Sequence, residues 1–256
     1  MSLWSSDRVG AASDDRGTTV FRGQIDVRSR QVKTKEVRLL KPSVLTSEAD
    51  WGEVKRAASG GAKIVFGWPV GGTRFDVSSG AVGPNCTEPV DLGGKQFCLT
   101  AQADCESVCG FLARAEKAVP VRAVEPLEIA VVRPFADLSS AGGALFVCRL
   151  GGAILFAQLW KGEPIFFRAT DNGADDDGQI VRQALRTVEY LTERYSPLKG
   201  TLCFTLGEGR DPLAKALSAS GLRARPVSLS DCWDGSPPPD DGLSIAAFGL
   251  AMWGMS

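Results

Sequence analysis

The sequence predicts an α/β fold of the ribonuclease-H-like kind, built as two related halves with mixed sheets. Three observations predict it. In the second half, apolar runs of strand length are separated by the tight turns Leu150-Gly151-Gly152 and Lys161-Gly162-Glu163, the mark of an antiparallel meander. Segments of helical period then alternate with short apolar strands, giving the order β-β-β-α-β-α-β-α, which suits three antiparallel strands followed by parallel crossovers. The first half echoes that order, with a β-α-β insert. The expected division is residues 1–138, holding the insert at about 70–125, and residues 139–256.

In chain order, 8–12 and 18–27 read as a hairpin around Asp14-Asp15-Arg16-Gly17, and 32–40 as a third strand. Residues 47–58 read as a helix, with Ser47 and Asp50 as a capping-box-like start. Strands are expected at 63–68, 74–77 and 96–101. Asp104 then caps a helix to Lys117 that has Val108, Phe111, Leu112 and Ala115 on one face. A strand at 121–124 and a short helix at 126–132 close the half. The meander follows at 144–149, 153–160 and 164–168.

Next comes a helix at about 179–194, whose Ile180, Val181, Ala184, Leu185, Val188 and Leu191 share a face. Asp175, Asp176 and Asp177 precede it, where carboxylates favour the helix dipole. A buried strand at 201–206 leads to a helix opened by Asp211-Pro212 and closed by Gly221. Residues 223–229 read as a strand. After Pro237-Pro238-Pro239, residues 243–253 form an apolar helix.

Composition narrows the chemistry. The 256 residues include 29 Lys and Arg, 30 Asp and Glu, and no histidine. Ser-His-Asp and Cys-His catalysis and histidine metal ligation are therefore excluded. The balanced charge argues against a nucleic-acid partner. The seven cysteines are odd in number, lack a CxxC pair and fall partly in apolar runs, as expected of a reduced, cytoplasmic chain. Residues 141–160 are almost long and apolar enough to cross a bilayer. However, two glycine pairs and Arg149 break the run, so a buried hairpin is the expectation.

Several short pieces carry a family resemblance. The run from Gln96 to Arg133 resembles the actin-like PilM proteins of type IV pili and the cytoplasmic part of GspL from type II secretion. The matching pieces are Phe97-Cys98-Leu99-Thr100, Val108 to Ala115, Val121 to Val124, Glu125-Pro126 and Ile129-Ala130-Val131. Gly162-Glu163-Pro164-Ile165-Phe166-Phe167-Arg168 is similar to the family's return strand, and Ser244 to Ala251 to its terminal helix. The resemblance covers roughly residues 60 to 253. It implies an actin-like ATPase fold serving as a cytoplasmic platform peripheral to the inner membrane. Its implied partner is the cytoplasmic tail of a PilN-like membrane protein, with a hexameric assembly ATPase as a further candidate. The tail would dock as an extended ligand in an apolar groove between the insert and the N-terminal core, near Trp68-Pro69, Arg74 and Phe75. GspL-like chains continue past this point into a membrane anchor, so an anchor beyond Ser256 is conceivable.

Actin-like nucleotide sites cradle phosphates in two glycine-rich hairpins and adenosine beside a third turn. Asp15-Arg16-Gly17-Thr18-Thr19 fits the first string, and equally an ordinary polar turn. In the second, before Gly151, Arg149 stands where the family has Asp, and a guanidinium cannot replace a carboxylate among magnesium's water ligands. The third keeps only Gly207 and Gly209, with Glu208 between them. These departures predict a non-catalytic protein without cofactor. An active ATPase or small-molecule kinase taking ATP with magnesium is the rival. The acidic run 171–178 lacks the end ligands of a calcium loop and reads as a helix cap. Arg22, Arg28, Arg30, Lys33, Lys35, Arg38 and Lys41 read either as a face for anionic headgroups or as protected edge strands.

Overall fold

The computed structural model describes residues 6–46, 48–58, 61–79, 89–92, 94–170 and 176–255. The strands are β1 (Arg8–Ser13), β2 (Thr18–Asp26), β3 (Gln31–Leu40), β4 (Ile64–Trp68), β5 (Thr73–Ser79), β6 (Val90–Leu92), β7 (Lys95–Ala103), β8 (Val121–Pro126), β9 (Gly143–Leu150), β10 (Ala153–Trp160), β11 (Glu163–Thr170), β12 (Leu202–Leu206), β13 (Ala224–Pro226) and β14 (Asp234–Ser236). The helices are α1 (Trp51–Ala58), α2 (Cys105–Ala118), α3 (Leu127–Val132), α4 (Asp177–Arg194), α5 (Arg210–Ala219) and α6 (Gly242–Ala251). The chain forms two compact units. The first comprises the described residues of 1–72, 103–134 and 228–256, the second those of 73–102 and 135–227. The units follow packing and are discontinuous in the chain, whereas the division at 138/139 follows chain order.

The first unit carries a six-stranded sheet ordered β14-β3-β2-β1-β4-β8. β1, β2 and β3 are antiparallel, and β1, β4 and β8 are parallel. Alternation along the strands sends Val9, Ala11, Val20, Ile64 and Phe66 to one face, against Val54 and Ala57 of α1 and Phe111 and Ala115 of α2. Edge-on contacts link Trp51 to Phe66 at 6.0 Å and Phe66 to Phe111 at 5.4 Å. Phe21, on the other face, meets Phe248 of α6 at 5.2 Å. All ten residues of α6 are buried, so its uniform apolarity is that of a core helix. It lies so close that a Cβ on Gly10 would stand 2.0 Å from Ala247 O, and one on Gly249 would stand 1.8 Å from Ala130 O in α3.

The second unit repeats the topology in a five-stranded sheet, β11-β10-β9-β12-β13. β9, β10 and β11 are antiparallel, while β12 is parallel to both β9 and β13. Leu145, Val147, Ile154 and Phe156 face α4 and α5 through Ile180, Ala184, Leu213 and Leu217. The run at 141–160 is thus the predicted hairpin. No helix among the described residues is long and apolar enough to cross a membrane.

Several elements differ from expectation. β8 pairs beside β4 in the main sheet, so α2 and β8 form a crossover. The extra element is instead a three-stranded sheet, β5-β7-β6. Its Val90 and Leu92 pack on Ile165, Leu191 and Tyr195, and Phe97 meets Tyr195 at 4.8 Å. The strand expected at 223–229 ends at Pro226, which has no N–H to continue the ladder. Ser228 and Asp231 then cap a short 3-10 turn reciprocally. α1 starts at Trp51 with Asp50 Oδ1 accepting from Glu53 N at 3.1 Å; Ser47 lies outside the described residues. The acidic run 171–175 also lies outside them, and Asp176 caps α4. Cys105 and Cys109 are exposed. Burial pushes the Cys203 thiol up to about 12.

Candidate functional site

The first hairpin turns on Asp14. Its Oδ1 accepts from Arg16 N at 2.9 Å and Gly17 N at 3.2 Å, and its Oδ2 from Arg16 Nε at 2.8 Å. The turn amides of Arg16 and Gly17 are thus engaged by a carboxylate of the same loop. Asp15 is exposed at the tip. Gly17 is required by close approach, since a Cβ there would stand 2.5 Å from Leu40 O. Thr18 and Thr19 are buried. Thr18 Oγ1 shares a hydrogen bond with Ser13 Oγ at 2.8 Å and accepts from Val44 N at 2.9 Å.

The second and third turns meet through Arg149, near the end of β9. Its Nη2 pairs with Asp177 Oδ1 in the first turn of α4. Its Nη1 donates to Glu208 O at 3.3 Å and to Gly209 O at 3.4 Å. The guanidinium fills the space beside the third turn, where a Cβ on Gly209 would stand 2.2 Å from Nη1. Gly207 and Gly209 have φ of 81° and 67°, and Gly151, in the β9–β10 turn, has 65°; all three are left-handed. Arg149, Gly207 and Gly209 therefore form one cluster in the second unit. Asp15, Gly17, Thr18 and Thr19 form another in the first. No group of side chains able to hold a metal occurs among the described residues.

No family model and no curated relative matches the sequence. Solved structures do. A PilM-PilN type IV pilus biogenesis complex matches with a TM-score of 0.67 at 14% identity, over 97% of this chain and 98% of the other. A Bacteroides thetaiotaomicron protein of actin-like ATPase fold and unknown function matches with a TM-score of 0.56 at 9% identity, over 95% of each chain. The chain has an actin-like ATPase fold. The ethanolamine utilization protein EutJ from Carboxydothermus hydrogenoformans is also similar, with a TM-score of 0.53 at 13% identity over 98% of this chain and 90% of the other. The resemblance expected from the sequence is thus met at the level of the fold.

Within this actin-like fold, Glu128 is a group that the sequence reading missed. It sits in the first turn of α3 and is 1% exposed. Its Oε1 accepts from Gly71 N at 2.9 Å, while Oε2 is buried without a partner among the described residues. Burial pushes its carboxyl up to about 7, against the Gly71 N–H, which favours the charged form. The signal was a lone acid inside the apolar run Leu127 to Val132. Glu125, three residues earlier, is held instead by a two-pronged ion pair with Arg133.

Three of the seven cations in the basic run, Arg22, Lys35 and Arg38, are ion-paired. Arg22 meets Glu36 at 3.3 Å, Lys35 meets Asp7 at 2.6 Å, and Arg38 meets Glu36 at 2.6 Å and Glu53 at 3.3 Å. Arg30 lies over the Trp233 ring at 5.2 Å. These cations balance local acids, which weakens the reading of the run as a headgroup-facing surface.

Proposed function

We propose that this protein is a cytoplasmic actin-like platform, peripheral to the inner membrane, in a type IV pilus or type II secretion assembly. It binds the cytoplasmic tail of a PilN-like membrane partner as an extended ligand and does not hydrolyse nucleotide. One observation carries this reading: on a fold that matches the PilM-PilN structure over nearly the whole chain, Arg149, two residues before Gly151, bonds to Asp177 and to the carbonyls of Glu208 and Gly209. A cation bonded to Asp177 and two backbone carbonyls links those turns and engages the nearby Asp177 carboxylate, which weighs against a magnesium site there. Asp14 supports the same reading at the first hairpin by taking the amides that a phosphate would need.

Titration with the N-terminal peptide of a candidate inner-membrane partner tests the proposal. Saturable binding in the absence of nucleotide is expected. Binding no stronger than that of a scrambled peptide would contradict it. The rival is an active ATPase or small-molecule kinase, favoured by the string Asp15-Arg16-Gly17-Thr18-Thr19 at a genuine hairpin turn.

A further inference from the structure

We infer that the first unit binds a phosphate group in a cleft to which none of the glycine-rich turns contributes. The cleft has a volume of ≈ 450 Å³ and is lined by Asp7, Arg8, Lys63 and Arg122, among others. It lies where β1, β4 and β8 begin. Val9 registers with Ile64 and Ile64 with Val121, so Arg8, Lys63 and Arg122 come to one end of three neighbouring parallel strands.

The charges there are unbalanced. Asp7 is already taken by Lys35 at 2.6 Å and Arg22 at 3.7 Å. Arg8 Nε and Nη1 are buried and find no hydrogen-bond partner among the described residues. Buried donors are nearly always satisfied, and an unmet one is costly. Burial, and after it the Arg122 charge, holds the Arg8 guanidinium below its ordinary range. Arg122 is steadied by the Trp253 ring, 5.5 Å from its guanidinium carbon.

A bound phosphate would answer both deficits. Its oxygens accept from the unmet N–H groups, and its charge separates the two guanidinium cations. Multiple acceptor oxygens suit a phosphate ester, whether it comes from a soluble metabolite or a lipid headgroup.

The test is thermal denaturation of the full chain with inorganic phosphate against chloride at matched ionic strength. Phosphate should raise the melting temperature above chloride. Arg8→Gln and Lys63→Gln should each raise the phosphate concentration needed for that effect by about tenfold, the loss of one charge-assisted bond. Without phosphate, at low salt, Arg8→Gln should be no less stable than the parent, because it relieves repulsion. Lys63 is exposed, so its substitution tests the site without disturbing the core. A parallel arm compares vesicles of phosphatidylcholine with and without phosphatidylglycerol. Arg8-dependent binding to the anionic vesicles identifies a headgroup as the source, and phosphate binding without vesicle binding identifies a soluble ester. Equal stabilisation by phosphate and chloride, or phosphate stabilisation unchanged in both variants, would overturn the inference.

Discussion

Arg149 and Asp177 form an ion pair that joins the end of β9 to the start of α4, and the same guanidinium donates to Glu208 O and Gly209 O. One side chain thereby links the second hairpin, the third turn and a helix start. Arg149→Ala should cost about 1–2 kcal/mol, since it removes two charge-assisted carbonyl bonds as well as the pair. Asp177 is 40% exposed, so the pair itself should contribute less than about 1 kcal/mol. Denaturant unfolding of Arg149→Ala, Asp177→Ala and the double variant measures both. A coupling larger than the whole Arg149→Ala loss would contradict the assignment.

The Glu128 carboxyl makes stability depend on pH. Its folded pKa of about 7 lies above the ordinary 4.5, so the folded state binds more protons between those values. The contribution is fully present below about pH 4.5 and is lost as pH rises through about 7. The loss is on the order of 3 kcal/mol. Glu128→Gln should flatten this part of the stability profile and raise stability at pH 8. A variant whose profile matches the parent between pH 5 and 8 would place the titration elsewhere.

Close packing of α6 on β1 gives a third prediction. A Cβ at Gly10 meets Ala247 O and Ala251 N of α6, which no rotamer change relieves. Gly10→Val should destabilise by about 3 kcal/mol or more, at the upper end for overpacking. Gly142→Ala is the control, since nothing lies within 4 Å of a Cβ there. Equal melting temperatures for Gly10→Val and Gly142→Ala would contradict the observed packing.

Much of this fold was legible in the sequence because its order is local. Gly151 and Gly162 mark the turns of the meander, helical period marks α2 and α4, and Asp211-Pro212 with Gly221 marks α5. The three-residue strands β6 and β14 escaped because they are too short for periodicity and exist through distant pairing. Asp234–Ser236 is a strand only because Gln31–Lys33 lies beside it. The candidate site was legible in part for the same reason. The substitution at Arg149 stood out against the family pattern, but its partners Asp177 and Gly209 lie 28 and 60 positions away. The cleft at Arg8, Lys63 and Arg122 depends on parallel strands meeting, which spacing does not reveal.

Asp14 and Arg149 engage the backbone of the glycine-rich turns, at Arg16 and Gly17 and at Glu208 and Gly209, and the proposed absence of nucleotide chemistry rests on that. Equilibrium titration with a fluorescent ATP analogue and magnesium, with phosphate release followed on the same samples, tests it most directly. The account predicts no saturable magnesium-dependent binding and no phosphate release above the protein-free rate. Saturable binding abolished by Asp15→Ala and accompanied by phosphate release would contradict it.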